Sequence, residues 1–333
     1  MKALIRDLVT NVLLLSRMSA PKQCRGLYIV TFHRVLPEKL RHQYPLPELV
    51  VTPEELAWFI RQFQGWFECC RLDSAWEAVA RDGLSGRPRL AITFDDAQLD
   101  NYVHAAPVLD QFGIKATFFV PVEAVDRQQL LWHDRVGYAI KYLLDNRPKS
   151  WLLTRLGLHA KLPETTPYVG VTLAKRMSPA DRLDWLLSAE AELPPTSPDW
   201  DGMMNWTQLR ELVDRGHEIG SHSWTHPLLT YCDEQELHRE IFDSRDRLAQ
   251  ELGSEVRSFC YPDGNHDRRV VEHVRQAGYS VAVTTRWGTN TSSANAHALN
   301  RCDMVAKHSL DRHGRLSAAR VATRLAGLVK GAR

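Results

Sequence analysis

Arg89-Leu90-Ala91-Ile92-Thr93-Phe94-Asp95-Asp96 is the stretch on which the reading of this chain turns. Its apolar run is short and rich in strand formers, as expected of a strand buried on both faces in a parallel sheet. It ends on two adjacent carboxylates. Two like charges side by side raise each other's pKa, and a bound cation removes that penalty. The plain alternative is an acidic turn, since Asp commonly opens turns.

Working outward, strands and helices alternate. Leu27-Tyr28-Ile29-Val30-Thr31-Phe32 predicts an earlier strand, and 116–120 a later one stopped by Pro121. Thr52-Pro53-Glu54-Glu55 opens a helix, with Thr52 as N-cap, Pro53 in the first position and Glu55 closing a capping box. A helix through 108–112 ends at Gly113. Further on, 206–215 is helical, 217–221 is a strand, and Asp233 with Glu236 caps a helix running to about Gly253. Then come a strand over 257–261, a helix over 267–277 and a strand over 279–285. Such alternation implies parallel pairing through crossover helices, with the chemistry at the carboxyl ends of the strands.

From about 125 to 205 the rhythm breaks into helical pieces (134–144, 179–191) and the close Pro194-Pro195-Thr196-Ser197-Pro198. This reads as an insertion between barrel units. The predicted organisation is an amphipathic helix over 1–25, a barrel domain over 26–310 carrying the insertion, and a basic helix over 311–333.

A chain of 333 residues with 44% hydrophobic and 25% charged residues is ordinary for a globular protein, which excludes a disordered or fibrous one. Lys+Arg 42 against Asp+Glu 40 gives +2, so no global charge points to nucleic acid. The six cysteines (Cys24, Cys69, Cys70, Cys232, Cys260, Cys302) are scattered, without a C-x-x-C pair. They read as free thiols in a reducing compartment. Leu4, Ile5, Leu8, Val9, Val12 and Leu15 make an amphipathic helix in preference to a signal peptide. At the other end, Leu316, Val321, Leu325 and Leu328 alternate with Arg315, Arg320, Arg324 and Lys330. The N-terminal helix either packs on the domain or makes a membrane-surface contact, and the C-terminal one is a solvated final helix or else a basic membrane-surface helix. The expected location is cytoplasmic, at the inner membrane surface, with the periplasm as the alternative. Nothing in the sequence sets an oligomeric state.

A second signal lies at Ser221-His222-Ser223-Trp224-Thr225-His226-Pro227. Histidines four apart share one side of a helical turn, and both can hold one divalent ion through neutral imidazole nitrogens. With 14 histidines in the chain, chance pairing is the plain alternative. The pair follows a predicted strand, as Asp95-Asp96 does. One carboxylate with two imidazoles leaves a position for water. The other carboxylate can then take that water's proton.

Thr93-Phe94-Asp95-Asp96 and His222-Ser223-Trp224-Thr225-His226 resemble the first two motifs of the polysaccharide deacetylases with a NodB-homology domain, carbohydrate esterase family four. Phe32-His33-Arg34-Val35 resembles the first strand of a large subgroup, and Phe259-Cys260-Tyr261-Pro262-Asp263-Gly264 that subgroup's third motif. The resemblance runs from about Leu27 to Val305 and is least specific over 125–205. It implies a distorted, incomplete (β/α) barrel, seven-stranded and TIM-like. It implies Asp95 as general base. Asp96, His222 and His226 are the implied ligands of a divalent metal, zinc first, with cobalt, nickel or manganese as alternatives. The backbone N–H at Asp263 is the implied oxyanion donor.

Two departures stand out. The better known third motif begins with an Arg that steadies the catalytic Asp, and Cys260 occupies that position here. Arg257, three residues earlier, points to the other strand face. Leu299-Asn300-Arg301 stands where the family offers Leu-x-His with His as general acid. Arginine is a poor proton donor, so Arg301 is expected to bind substrate or stabilise negative charge. His33 becomes the expected acid, or else a pocket-lining histidine. His297 is weaker, and His266 lies near the mouth. Tyr261, Pro262, Asp263 and Gly264, with Trp224 and Trp287, are the expected substrate-binding residues, although tryptophans such as these and Trp206 also pack in barrel cores. Trp132-His133-Asp134 opens the insertion, either covering the cleft or simply starting a capped helix.

The resemblance thus implies a metal-dependent hydrolase of carbon–nitrogen bonds other than peptide bonds. It would remove N-acetyl groups from a hexosamine-containing polysaccharide or glycan precursor, its partner being the N-acetylated glycan. Two alternatives stand beside it: the same fold acting on another amide, such as a cyclic ureide, and a metal- and glycan-binding relative without turnover.

Overall fold

The computed structural model describes residues 26–83, 86–146 and 166–327; the helix expected over 1–25 lies outside them. The strands are β1 (Leu27–Phe32), β2 (Arg34–Val35), β3 (Val50–Val51), β4 (Glu68–Cys70), β5 (Arg89–Phe94), β6 (Thr117–Val120), β7 (Glu218–Ser221), β8 (Ser258–Cys260), β9 (Val281–Val283) and β10 (Cys302–Asp303). Seven of them run in parallel in the order β10-β1-β5-β6-β7-β8-β9, and β4 pairs with the start of β5. Among the described residues the ends of this path are joined by a bridge between Val283 and Leu299, just before β10, in place of a full strand ladder. The sheet therefore curls into a distorted barrel whose last seam lacks a full ladder. β1 is buried along its whole length, as a strand inside such a barrel must be.

Register fixes where the chemistry emerges. Thr31 pairs with Thr93 and Phe32 with Phe94, so His33 and Asp95 leave the barrel side by side. The predicted caps form. Thr52 and Glu55 exchange both capping-box hydrogen bonds at the head of the helix Pro53–Trp66, and Asp233 and Glu236 do the same.

The inserted helices Trp132–Asn146, Pro167–Ala174 and Pro179–Glu192 build a small core of their own. Val136, Ile140, Leu143, Val171 and Leu186 pack there with Tyr44 and Leu46 from the segment between β2 and β3. Arg34 pins this unit to the barrel from a fully enclosed position. Its Nε donates to Asp100 (2.5 Å) and its Nη2 to Asp201 (2.6 Å). Tyr138 also donates to Asp201 (2.6 Å).

The last described helix, Ala318–Leu325, corrects one expectation. Val321 and Leu325 belong to the main core, so this segment is neither solvated nor offering its apolar face to a membrane. Among the described residues no helix is long and apolar enough to cross a membrane.

Glu218 opens β7 in full enclosure, accepting from Thr117 Oγ1 (2.6 Å), Asp73 N (3.1 Å) and Ser258 Oγ. Burial, helped by the Asp73 charge, pushes its carboxyl up to about 7. In the unfolded chain this group ionises near pH 4 while the folded one stays protonated, so stability should fall as pH rises from about 4 to about 7. Urea denaturation across this range should show Glu218→Gln flattening the decline by on the order of 3 kcal/mol. Parallel pH profiles for the two proteins would refute this assignment.

Candidate active site

Asp95 follows β5 directly, its N–H donating to Phe32 O (3.1 Å). Its enclosed carboxylate forms a two-pronged pair with Arg301, Nη1 to Oδ1 at 2.7 Å and Nη2 to Oδ2 at 2.8 Å. The same guanidinium donates to Thr284 O (2.9 Å), Thr31 Oγ1 (3.1 Å) and Thr93 Oγ1 (3.3 Å). Burial would raise the Asp95 carboxyl, but the Arg301 charge and its hydrogen bonds, with His222 and His33 nearby, together outweigh it and hold the group below its ordinary value. His33 Nε2 lies 4.0 Å from Asp95 Oδ2, its side chain about a quarter exposed.

Asp96 turns the other way because its backbone is left-handed (φ 75°). Its Oδ1 lies 3.5 Å from His222 Nε2 and 3.4 Å from His226 Nε2, and those two nitrogens are 3.2 Å apart. His222 Nδ1 donates to Cys260 O (2.8 Å). A carbonyl can only accept, so a proton sits on Nδ1, and in the neutral imidazole it is the Nε2 lone pair that faces Asp96.

The two histidines do not lie on a helical turn. The segment after β7 is a loop with left-handed Ser223 (φ 67°) and His226 (φ 61°). The buried carboxylate of Glu240 holds this loop, accepting from the N–H groups of Trp224 and Thr225 (2.8 Å each) and from Thr225 Oγ1 (2.7 Å). Glu240 sits on a π-turn, Arg239–Asp243, inside what the sequence reads as one plain helix. Among the described residues, six other than glycine have positive φ, and Asp96, Ala97, Ser223, His226 and Asp263 are five of them. Strain gathered in this way marks a functional site.

Two described groups could hold a cation: Asp96 with His222 and His226, and Asp95 with His222 and Cys260. Arg301 occupies both oxygens of Asp95, which leaves the first group as the ligand set. The insertion adds His133, which the sequence offered only as part of a segment covering the cleft. Its Nε2 lies 3.6 Å from Asp96 Oδ2, and its ring centroid lies 5.5 Å from that of His226.

Several expected substrate contacts are placed otherwise. Arg301 is enclosed and spends its guanidinium on protein groups, so it orients Asp95 and offers no surface to a substrate. It supplies the counter-charge of Asp95. Tyr261 and Pro262 are enclosed too: Tyr261 donates to His297 O (2.8 Å) and stacks on His266. Asp263, left-handed at φ 54°, pairs with Lys175 of the insertion (2.6 Å). Gly264 must be glycine, since a Cβ there would stand 2.1 Å from Thr285 Oγ1. Trp224 packs partly against the core with Arg239 over its ring, and Trp287 is 36% exposed with Arg324 over one face. Trp206 donates to Asp126, and His297 Nε2 donates to Tyr279 O.

Residues 83–282 match the family described as Polysaccharide deacetylase. The chain belongs to this family. The family's members are hydrolases of carbon–nitrogen bonds other than peptide bonds. The putative polysaccharide deacetylase YxkH of Bacillus subtilis (strain 168) is 20% identical over 223 residues, covering 67% of this chain and 54% of that protein. The chain thus spans about half the length of that curated relative. The Streptococcus pyogenes deacetylase PplD, solved in complex with acetate, superposes with a TM-score of 0.60 at 15% identity, covering 90% of this chain and 98% of that one. IcaB from Ammonifex degensii gives 0.56 at 19%, covering 90% and 97%. At such identities the likeness concerns the fold, a curled parallel sheet ringed by helices. Within this polysaccharide deacetylase chain, the Asp95–Arg301 pair is open to a direct test. Arg301→Met should leave a buried carboxylate without a counter-charge and lower stability by about 3–5 kcal/mol in urea denaturation. Adding Asp95→Asn should recover part of that loss. Unchanged stability in the single variant would contradict the pairing.

Proposed function

We propose that this protein is a metal-dependent deacetylase hydrolysing N-acetyl groups of a hexosamine-containing polysaccharide or glycan precursor. The observation that carries the reading is the divergence of two adjacent carboxylates: Asp95 paired with Arg301 beside His33, Asp96 joined to two imidazoles. One carboxylate oxygen and two imidazole nitrogens, one with its tautomer fixed by a carbonyl, suit a divalent ion. Zinc is the first choice for such donors, with cobalt, nickel and manganese as alternatives. When bound, the ion supplies a Lewis acid that lowers the pKa of water and polarises an amide carbonyl.

The chain's own residues divide the remaining work. Asp95, kept ionised by Arg301, accepts the proton of the attacking water. His33, partly open to the cleft, gives a proton to the departing sugar amine. The N–H of Asp263 is the donor assigned to the developing oxyanion. Acetate and a free amine are the products.

Metal analysis of the purified protein beside Asp96→Ala and His222→Ala should find the ion lost from both variants. Asp95→Asn should keep the ion and lose at least about a hundredfold of acetate release from N-acetylglucosamine oligomers. Full metal content in both ligand variants, or no acetate release by the zinc- or cobalt-loaded protein, would overturn the reading. His133→Ala should still bind the ion, but about 10–100-fold more weakly in chelator competition, because the outer oxygen of Asp96 loses its neighbour.

A further inference from the structure

The insertion holds a buried cation that nothing so far uses. Arg182, on the helix Pro179–Glu192, is only 6% exposed. Its guanidinium lies 3.9 Å over the Trp132 ring. It makes no hydrogen bond and no ion pair with any described residue. Other buried arginines differ. Arg34 is met by Asp100 and Asp201, Arg301 by Asp95, and Arg324 donates to Asp303 O. An enclosed charge without a counter-charge forfeits its solvation and persists where something compensates it. Burial alone pushes the Arg182 pKa down, with no carboxylate opposing it.

Arg182 also lines a cleft of about 170 Å³, which holds a single oxyanion group rather than a whole sugar; a benzene-sized cavity is about 150 Å³. Arg127 and Arg135 stand on the same walls, but Glu123 and Glu190 neutralise them. Glu123 lines the cleft as well, so among the described residues the unpaired positive charge of the cleft is the one on Arg182. The cleft adjoins the candidate active site. Trp132 packs edge-on to His133 (5.6 Å between ring centroids), and Thr225 on the cleft wall precedes His226.

We propose that this cleft is an anion subsite in which Arg182, held flat by Trp132, binds a carboxylate or phosphate carried by the glycan. A planar guanidinium meets such a group with two parallel hydrogen bonds. On the deacetylase reading, which this extension rests on, the substrate is an N-acetylated glycan that also bears acid groups. The insertion then selects the substrate while the barrel performs the reaction.

Isothermal titration of the metal-loaded protein with D-glucuronate, with inorganic phosphate and with glucose tests the subsite without reference to turnover. At least one anion should bind and glucose should not, and the stronger anion distinguishes carboxylate from phosphate. Arg182→Gln should weaken that binding by at least about tenfold. Asp95→Asn should leave it unchanged, which separates the subsite from the hydrolytic reading. Anion binding that survives Arg182→Gln and disappears in Asp96→Ala would mean capture by the metal and would overturn the proposal, as would no anion binding at all. As a second measurement, Arg182→Met should raise the melting temperature in anion-free buffer, because it removes an unpartnered buried charge. A lower melting temperature would show that Arg182 is only a structural partner of Trp132.

Discussion

The Asp95–Arg301 pair is the constraint around which this molecule is arranged. Two charges taken out of water must face one another with good geometry or the fold loses several kcal/mol. Arg301 meets that condition with a two-pronged pair, and its other donors reach Thr31, Thr93 and Thr284. Those threonines lie in or just beyond β1, β5 and β9. A single guanidinium thus ties together the barrel's weakest seam and its most consequential carboxylate. Fixing Asp95 also fixes what its neighbour can do. The left-handed backbone at Asp96 sends the second carboxylate to the opposite side, toward the imidazoles, and the like-charge repulsion of adjacent acids is relieved by giving each its own partners.

A second buried charge organises the other half of the architecture. Arg34, one residue beyond His33, draws Asp100 from the segment after β5 and Asp201 from the end of the insertion, while Tyr44 lies under the guanidinium at 4.3 Å. The insertion is therefore docked on the barrel through a polar node as well as through its own small core. Docked in this way, it brings His133 beside Asp96 and Lys175 beside Asp263. The side chains around the candidate centre come from two units of the fold, and the insertion is part of the site as much as a cover for it.

Cys260 and Arg301 support the candidate centre from two different strands. The backbone carbonyl of Cys260, at the end of β8, orients His222. The cation that meets Asp95 comes from Arg301, the residue before β10. The carboxylate that needs a partner is satisfied from a different strand because the barrel's curl brings both strand ends to one mouth. Glu240 plays a comparable part for the histidine loop, holding two strained residues in place from a π-turn on a neighbouring helix.

What the sequence by itself determined follows from interactions spanning a few residues. Alternating apolar runs and amphipathic stretches, the Thr52–Glu55 and Asp233–Glu236 boxes, and carboxylates and histidines placed just beyond strands all express local periodicity or capping, and the fold class was legible from them. The tertiary structure decided everything that depends on which distant segments meet. The partnership of Asp95 with a residue 206 positions away, the approach of His133, the hold of Glu240 and the docking of the helix Ala318–Leu325 leave no mark on their own neighbourhoods in the chain. The short strands β4 and β10 escaped the sequence for the same reason. Two or three residues carry too little periodic signal, and their pairing energy comes from the strands beside them.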